Sequence, residues 1–435
     1  MTNQPDSLIL PDVPTIENLE YPDVFADALG VAICYQDEDV YTRCALLREG
    51  YRLTPGHRGG VYGAISAITG RGWLIGFDEA DYYPEQHGAQ DPHASFAVAG
   101  LEAYLEHYET LHETVRFMEH VPEFLWNQDC VYPVDPQQAA GFIAAAESVD
   151  GGAIRRYVTD YLATRQRPVI ALLNMPGAPV VEMALITGYE AAGATILGRS
   201  PYQNPRMESA NPCGYFRMED WESNVVAILG VGEERQAAWG KHLCYTAIKK
   251  ALKYARSYTR GTKHYGLAAY DAWERALLDD ACITDADNAT VAGRLLHHSA
   301  VAGFIACQKA FTVLPECQTP SMGVINGLVR RGAAGPGLIH GLMWDVWQVV
   351  GGYWRGVKSV DAGYRVYWEN NDEVRRFRDR AVRESAAQVV RRARQVDAQS
   401  LQDLQEAAEE WEHCLGRGKS HRCPCWDRPC ARVAR

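Results

Sequence analysis

The hydrophobic period of this 435-residue chain changes near residue 232, and that change limits the possible folds more than any other feature. Upstream of it, "RPVIALLN" (167–174), "APVVEMALITGYEAAGATILGRSPYQ" (178–203) and "VVAILG" (225–230) are short apolar runs rich in Val and Ile, which read as strands of one sheet. The long middle run splits into two strands around a Gly-containing turn. Downstream, "RQAAWGKHLCYTAIKKALKYA", "YGLAAYDAWERALLDD", "LIHGLMWDVWQVVGGYW" and "DEVRRFRDRAVRESAAQVVRRARQ" place apolar residues three and four apart, the spacing of one helix face. Ahead of the strands, helices are expected over 22–36, where Phe25, Leu29, Ala32 and Ile33 share a stripe, and over 39–50, 94–120, 135–147 and 151–165. Residues 51–91 read as loop with one or two short strands. Helices, then a compact sheet, then more helices make an α+β chain and not a regularly alternating one.

Composition narrows the class. Hydrophobic residues make up 47% of the chain, enough to fill a sizeable core. The formal net charge of −12 repels phosphate backbones, so no nucleic-acid partner is expected for the main body. The first residues lack a signal-peptide pattern and no run of about 18 uncharged apolar residues occurs, so a cytoplasmic protein with no membrane partner is expected. Eight of the 12 cysteines are scattered from Cys34 to Cys317 without paired spacing, as buried thiols would be.

Residues 416–435 stand apart, with six Lys/Arg against one Asp. His413, Cys414, His421, Cys423, Cys425 and Cys430 supply zinc-type ligands, but their spacing is not a usual knuckle and Pro424 and Pro429 restrict its turns. A basic, Cys-containing, disordered tail is the expectation, with no metal and no cofactor anywhere in the chain. His107, His112 and His120 do not share a helix face, and His297 and His298 diverge. In "LGVGEERQ" (229–236) the third glycine of a dinucleotide loop is missing, which leaves a plain strand-to-helix turn. Leu342, Met343, Val346, Trp347 and Val350 form a packing stripe, and Asp271 with Glu274 reads as a solvated helix face or as part of a cleft.

The segment "YLATRQRPVIALLNMPGAPVVEMALITGYEAAGATILGRSPYQ", followed by "CGYFRMEDWESNVVAILGVGE", resembles the second half of papain-like domains in the butirosin biosynthesis protein H-like family and in the related bacteriocin-processing-type cysteine peptidases. "YGLAAYDAWERALLDD" and "HGLMWDVWQVVGG" are similar to the helical region that accompanies the former. The resemblance covers most of residues 20–370 and implies a papain-like α+β domain over 1–232, a mainly helical domain over 233–415 and the tail over 416–435.

The resemblance also implies where a Cys-His-Asp triad would stand. The nucleophile would open the first helix, near Val24 and Phe25. The histidine, six residues before Gly188, is replaced by Glu182, and the acidic partner falls at Arg199 and Ser200. None of these positions carries the peptidase residue, and valine or phenylalanine cannot supply a thiolate. Cys34 lies roughly 15 Å further along the helix at about 1.5 Å per residue. The expectation is therefore a papain-like protein without its triad, binding a peptide or amide-containing small molecule in the old cleft. The alternatives are an acyltransferase or amide hydrolase with a non-thiol mechanism, and a purely structural partner-binding protein. Asp23, Tyr21 and Tyr189 are further cleft candidates, and Asp23 also suits the first turn of a helix. Glu182 reads either as a cleft acceptor or base, or as an outward strand residue paired with Arg199 across the hairpin.

Overall fold

The structure, a computed structural model, describes residues 5–13, 24–35, 70–82, 105, 108–117, 120–134, 136–174, 181–200, 215–234, 243–310, 323–350 and 372–417. Its elements run β1 (Leu8–Ile9), α1 (Val24–Cys34), β2 (Gly76–Asp78), α2 (Glu79–Tyr82), α3 (Tyr108–Phe117), β3 (His120–Asn127), α4 (Pro136–Ala145), β4 (Glu147–Val149), α5 (Gly151–Arg165), β5 (Val169–Leu173), β6 (Glu182–Glu190) and β7 (Thr195–Arg199). They continue with β8 (Phe216–Glu219), β9 (Val225–Glu234), α6 (Leu243–Ala255), β10 (Tyr258–Arg260), β11 (Lys263–Tyr265), α7 (Leu267–Leu278), α8 (Asn288–Ala310), α9 (Gly323–Val349), α10 (Asp372–Arg378) and α11 (Arg380–Arg417). The chain is α+β, and among the described residues no helix is long and apolar enough to cross a membrane.

Two compact units divide the chain: residues 1–65 with 99–239, and residues 66–98 with 240–435. The sequence places a single boundary near 232, but a stretch of the N-terminal half belongs with the helices. Its β2 pairs antiparallel with β11, and Phe77 and Tyr82 are buried in the core of the second unit. A hydrophobic period cannot register that kind of insertion, because short strands carry too few residues to show one.

The first unit is built on a sheet of order β4-β3-β9-β5-β6-β7-β8, with β1 beside β6. All neighbours are antiparallel except β3 and β4. The central strands β5 and β9, the latter from Val225 to Gly232, are apolar and buried on both faces, as strands covered by helices must be. Phe124 of β3 stacks on Phe142 of α4 and meets His112 of α3 edge-on, while α5 packs on β3, β5 and β6. Helix α5 begins where Asp150 accepts the Ala153 N–H at 2.6 Å and Asp129 accepts the Gly151 N–H at 3.0 Å. It ends at Gln166 in the left-handed conformation. Helix α1 packs on β5 and β6 through a stripe of Phe25, Ala28, Leu29, Ala32 and Ile33, all fully buried.

Three local expectations change. The glycine of "TGY" is not in a turn: Gly188 sits inside β6, paired with Leu197 and Ile9, and the reversal comes later at Ala191–Gly193, where Gly193 has φ +90°. A Cβ at Gly188 would lie 2.5 Å from the Leu8 carbonyl oxygen, so the glycine admits β1. "LGVGEE" likewise continues as strand β9 to Glu234, and a Cβ at Gly230 would fall 2.0 Å from the Tyr157 hydroxyl. The helix expected to reach His120 stops at Phe117, and "HVPEFLWN" forms β3.

In the second unit α9 lies along α11, with α7 and α6 also on α11 and α8 on α9. One cluster joins Trp273, Ile305, Met343, Val346 and Val390, and another joins Trp73, Ile248, Leu404 and Trp411. The stripe expected to pack does so, with Met343, Val346 and Val350 fully buried and Trp347 nearly so. The expected helical run is interrupted at 258–265 by the β10–β11 hairpin. Helix α11 reaches Arg417, and the expected tail beyond it lies outside the described residues, as does the helix expected over 39–50.

Candidate functional site

Strand register decides which candidate residues meet. In the first unit Leu173, at the end of β5, stands between Glu182 at the start of β6 and Val225 at the start of β9. Leu185 pairs with Arg199, so the end of β7 and the following Ser200 come to the same end of the sheet. Asn127 at the end of β3 and Asn224 just before β9 complete that end. Glu182, Arg199 and Ser200 are thus gathered at one end of the sheet, and three asparagines that the sequence reading passed over are gathered with them.

Those asparagines hold the backbone there. The Asn127 side-chain amide donates to the carbonyls of Glu222 (2.6 Å) and Val225 (2.7 Å). The Asn174 N–H donates to the Asn224 carbonyl at 2.8 Å, and the Asn174 amide reaches the Asn224 side-chain oxygen at 3.4 Å. Asn127 is buried, whereas Asn174 and Asn224 are half-buried. The Arg199 guanidinium lies over the Tyr215 ring, 4.0 Å from its centre, and the Tyr215 hydroxyl donates to the Leu10 carbonyl at 3.2 Å. Ser200 is buried. The end of the sheet therefore combines a carboxylate-bearing position, a stacked guanidinium, a hydroxyl and side-chain amides.

The register separates other candidates from this group. Arg199 stands across from Leu185 and not from Glu182, so the cross-hairpin pair expected between them is not set by the ladder. Tyr189 is seven residues along β6 from Glu182, roughly 23 Å at about 3.3 Å per residue. Its ring is buried, its hydroxyl donates to the Pro5 carbonyl at 3.3 Å, and burial pushes its pKa up. Tyr189 belongs to the docking of β1 and not to the candidate cleft. Phe25 is fully buried and Met183 almost so, so neither side chain is open to solvent. Asp23 and Tyr21, and the side chains of Val24, Cys34 and Glu182, lie outside the described residues.

A second polar cluster, in the helical unit, has little signal in the sequence. Lys309 of α8 and Asp397 of α11 are both buried, and the ammonium donates to both carboxylate oxygens at 3.1 and 3.2 Å. The Tyr270 hydroxyl of α7 donates to the same carboxylate at 3.2 Å, and the ammonium sits 4.4 Å from the centre of the Trp73 ring. Burial lowers the Lys309 pKa, with Asp397 opposing that shift. One turn along α7, the Trp273 indole donates to His298 Nδ1 at 2.9 Å. That bond leaves the proton of the neutral imidazole on Nε2, 3.0 Å from the Tyr82 hydroxyl, which in turn donates to the Ala276 carbonyl at 3.1 Å. The neighbouring His297 packs its ring edge-on against Phe77, and burial lowers its pKa to about 4 against the pull of Asp78.

The Lys309–Asp397–Tyr270 group and the Trp273–His298–Tyr82 group are both buried, and each joins elements of the second unit. Among the described residues no group of three His, Cys, Asp or Glu side chains is arranged to hold a metal ion. Glu274 and Asp271, read as a helix face or cleft residues, pair with Arg391 and Arg394 of α11. Comparison with family models, with curated proteins and with solved structures finds no match to this chain.

Proposed function

We infer that the protein is a binding protein on a papain-like scaffold that has no thiol chemistry, and that it takes a peptide or an amide-containing small molecule at the end of the sheet bearing Glu182, Arg199 and Ser200. The observation that carries this reading is the register. It brings those positions, with Asn174 and Asn224, to one end of an antiparallel sheet against which α1 packs. Side-chain amides and a guanidinium match amide carbonyls and N–H groups as donors and acceptors. The buried Phe25 ring speaks against an acyl-enzyme step at the helix start, since a nucleophile must be exposed to its substrate. The family resemblance in the sequence supports the same placement.

The test is a thermal-shift screen of the full chain against primary amides, short peptides and aminoglycosides. A ligand bound only by the folded state at a hundredfold its Kd stabilises by about 2.7 kcal/mol. Selective stabilisation by one class, abolished in Arg199→Ala, is the expected result. Unaltered melting with all three classes refutes the reading, and so does hydrolysis of an amide accompanied by stoichiometric alkylation of a cysteine.

A further inference from the structure

We propose that the exposed face of α9 is a self-association surface on which a second copy of this chain packs antiparallel. The argument begins with glycines. Helix α9 contains Gly332 and Gly335, whose absent side chains are explained inside the unit: a Cβ at Gly332 would lie 2.7 Å from Leu404, and one at Gly335 would overlap Ser400 of α11. Gly337 and Gly341 have no such reason, since a Cβ at either would meet nothing within 4 Å. A glycine in a helix interior destabilises it by roughly 0.5–1 kcal/mol relative to alanine. The packing within the unit gives no return for that cost at Gly337 and Gly341; close approach of another backbone would.

The same face carries large apolar groups. Leu338 is 61% exposed and Trp344 36%, and Ala334, Gly337 and Gly341 beside them along the helix are also exposed. At 100° per residue these fall on one side of the helix, opposite the buried Ile339, Met343 and Val346. Small residues in the middle with large ones beside them suit a helix seated closely along this one at a shallow crossing angle.

The charges identify the occupant as a second copy. If two α9 helices run antiparallel about a pivot between Gly337 and Leu338, Ala334 faces Gly341, Arg331 faces Trp344 and Arg330 faces Asp345. Arg330, Arg331 and Asp345 are all exposed; Arg331 also reaches Asp403 of α11 at 3.4 Å, and neither arginine needs to leave its contacts within the chain to meet a second copy. Each contact then occurs twice, as an isologous interface requires: a cation beside a carboxylate, and a guanidinium over an indole.

Sedimentation velocity of the full chain over about 1 to 100 µM tests the proposal, because an interface of one helix pair is at the small end of specific contacts and shifts with concentration. The expected result is a rise to twice the monomer mass. Gly341→Leu fills the close approach from a position where a Cβ meets nothing within 4 Å, so it keeps or slightly raises the monomer's melting temperature and weakens association about tenfold or more. Asp345→Arg and Arg330→Asp each weaken it, and the two together restore it, because the exchanged charges meet again across the pivot. Circular dichroism of each variant confirms folding, and Gly341→Leu decides the matter if either charge variant fails that check. A monomer at every concentration, a dimer indifferent to Gly341→Leu, or a charge exchange that restores nothing would overturn the proposal.

Discussion

Where β5 and β9 cross the middle of the first unit every side chain is hydrocarbon, whereas the middle of the second unit holds an ammonium, a carboxylate and two imidazoles. The contrast follows from how each kind of element meets its backbone hydrogen bonds. A strand bonds to its neighbours, so the ladder sets its register and an apolar pattern sets its faces. A helix bonds within itself and is left able to slide and rotate against its neighbours. Lys309, Asp397 and Tyr270 join α8, α11 and α7 at one point, and His298, Trp273 and Tyr82 join α8, α7 and α2 at another. Buried polar contacts of this kind penalise every register but one.

The largest effect that would break this comparison is at Asp397. Replacing it with leucine leaves the buried Lys309 ammonium without its carboxylate and removes the acceptor of the Tyr270 hydroxyl. A cost of about 3–5 kcal/mol is expected in urea unfolding. Lys309→Met with Asp397→Leu should recover most of it, because two apolar groups of similar volume need no desolvation. If the single and double variants lose the same stability, the pair acts through packing volume and the contrast with the sheet unit collapses.

Acidification should sharpen the difference further. His297 has a folded-state pKa of about 4 against 6.5 for the free side chain, and burial also holds His298 well below 6.5. The unfolded chain therefore binds protons that the folded one does not. Stability from these groups is complete above about pH 6.5 and falls as the pH drops from there through about 4, by about 3 kcal/mol for His297 at roughly 1.36 kcal/mol per pKa unit. His297→Phe should make the denaturation midpoint fall less steeply between those limits, with the contribution of His298 remaining. His120, also lowered by burial, is the sheet unit's smaller counterpart, and a slope that survives His297→Phe unchanged would move the effect elsewhere.

Much of this was legible in the sequence where the signal is a period. The runs at 167–174 and 225–230, the helices at 136–145 and 151–165, and the packed stripe of α9 all show enough repeats to declare themselves. Strand β3 did not, because "HVPEFLWN" follows a helical run without a break and carries a proline where β3 and β9 slip register. The candidate site was legible only in part. Glu182 and Arg199 could be singled out one by one, but it is register, which no composition encodes, that brings both positions to one end of the sheet. Lys309 offered a cue, a lysine within the apolar run "AVAGFIACQKAF", yet its partner lies 88 residues away on another helix.

The smallest expected effect concerns the edge of the sheet and tests whether its register is as self-sufficient as the comparison holds. Gly188→Ala would put a Cβ 2.5 Å from the Leu8 carbonyl oxygen and 3.0 Å from the Ile9 Cα, both backbone atoms that cannot swing aside. The strand that must move is β1, which is two residues long and held by the Leu10 N–H to the Thr187 carbonyl and the Tyr215 hydroxyl to the Leu10 carbonyl. Overpacking of this kind costs about 1–3 kcal/mol. Because β5 and β9 pair with each other and with β6 and β3 independently of β1, the loss should stay local. In amide hydrogen exchange the variant should lose protection at Leu10 and keep it at Ile170, Leu172, Ile228 and Leu229. Protection lost across β5 and β9 as well would mean that the ladder does not hold its register without the edge, and the sheet would then need a locking contact as much as the helices do.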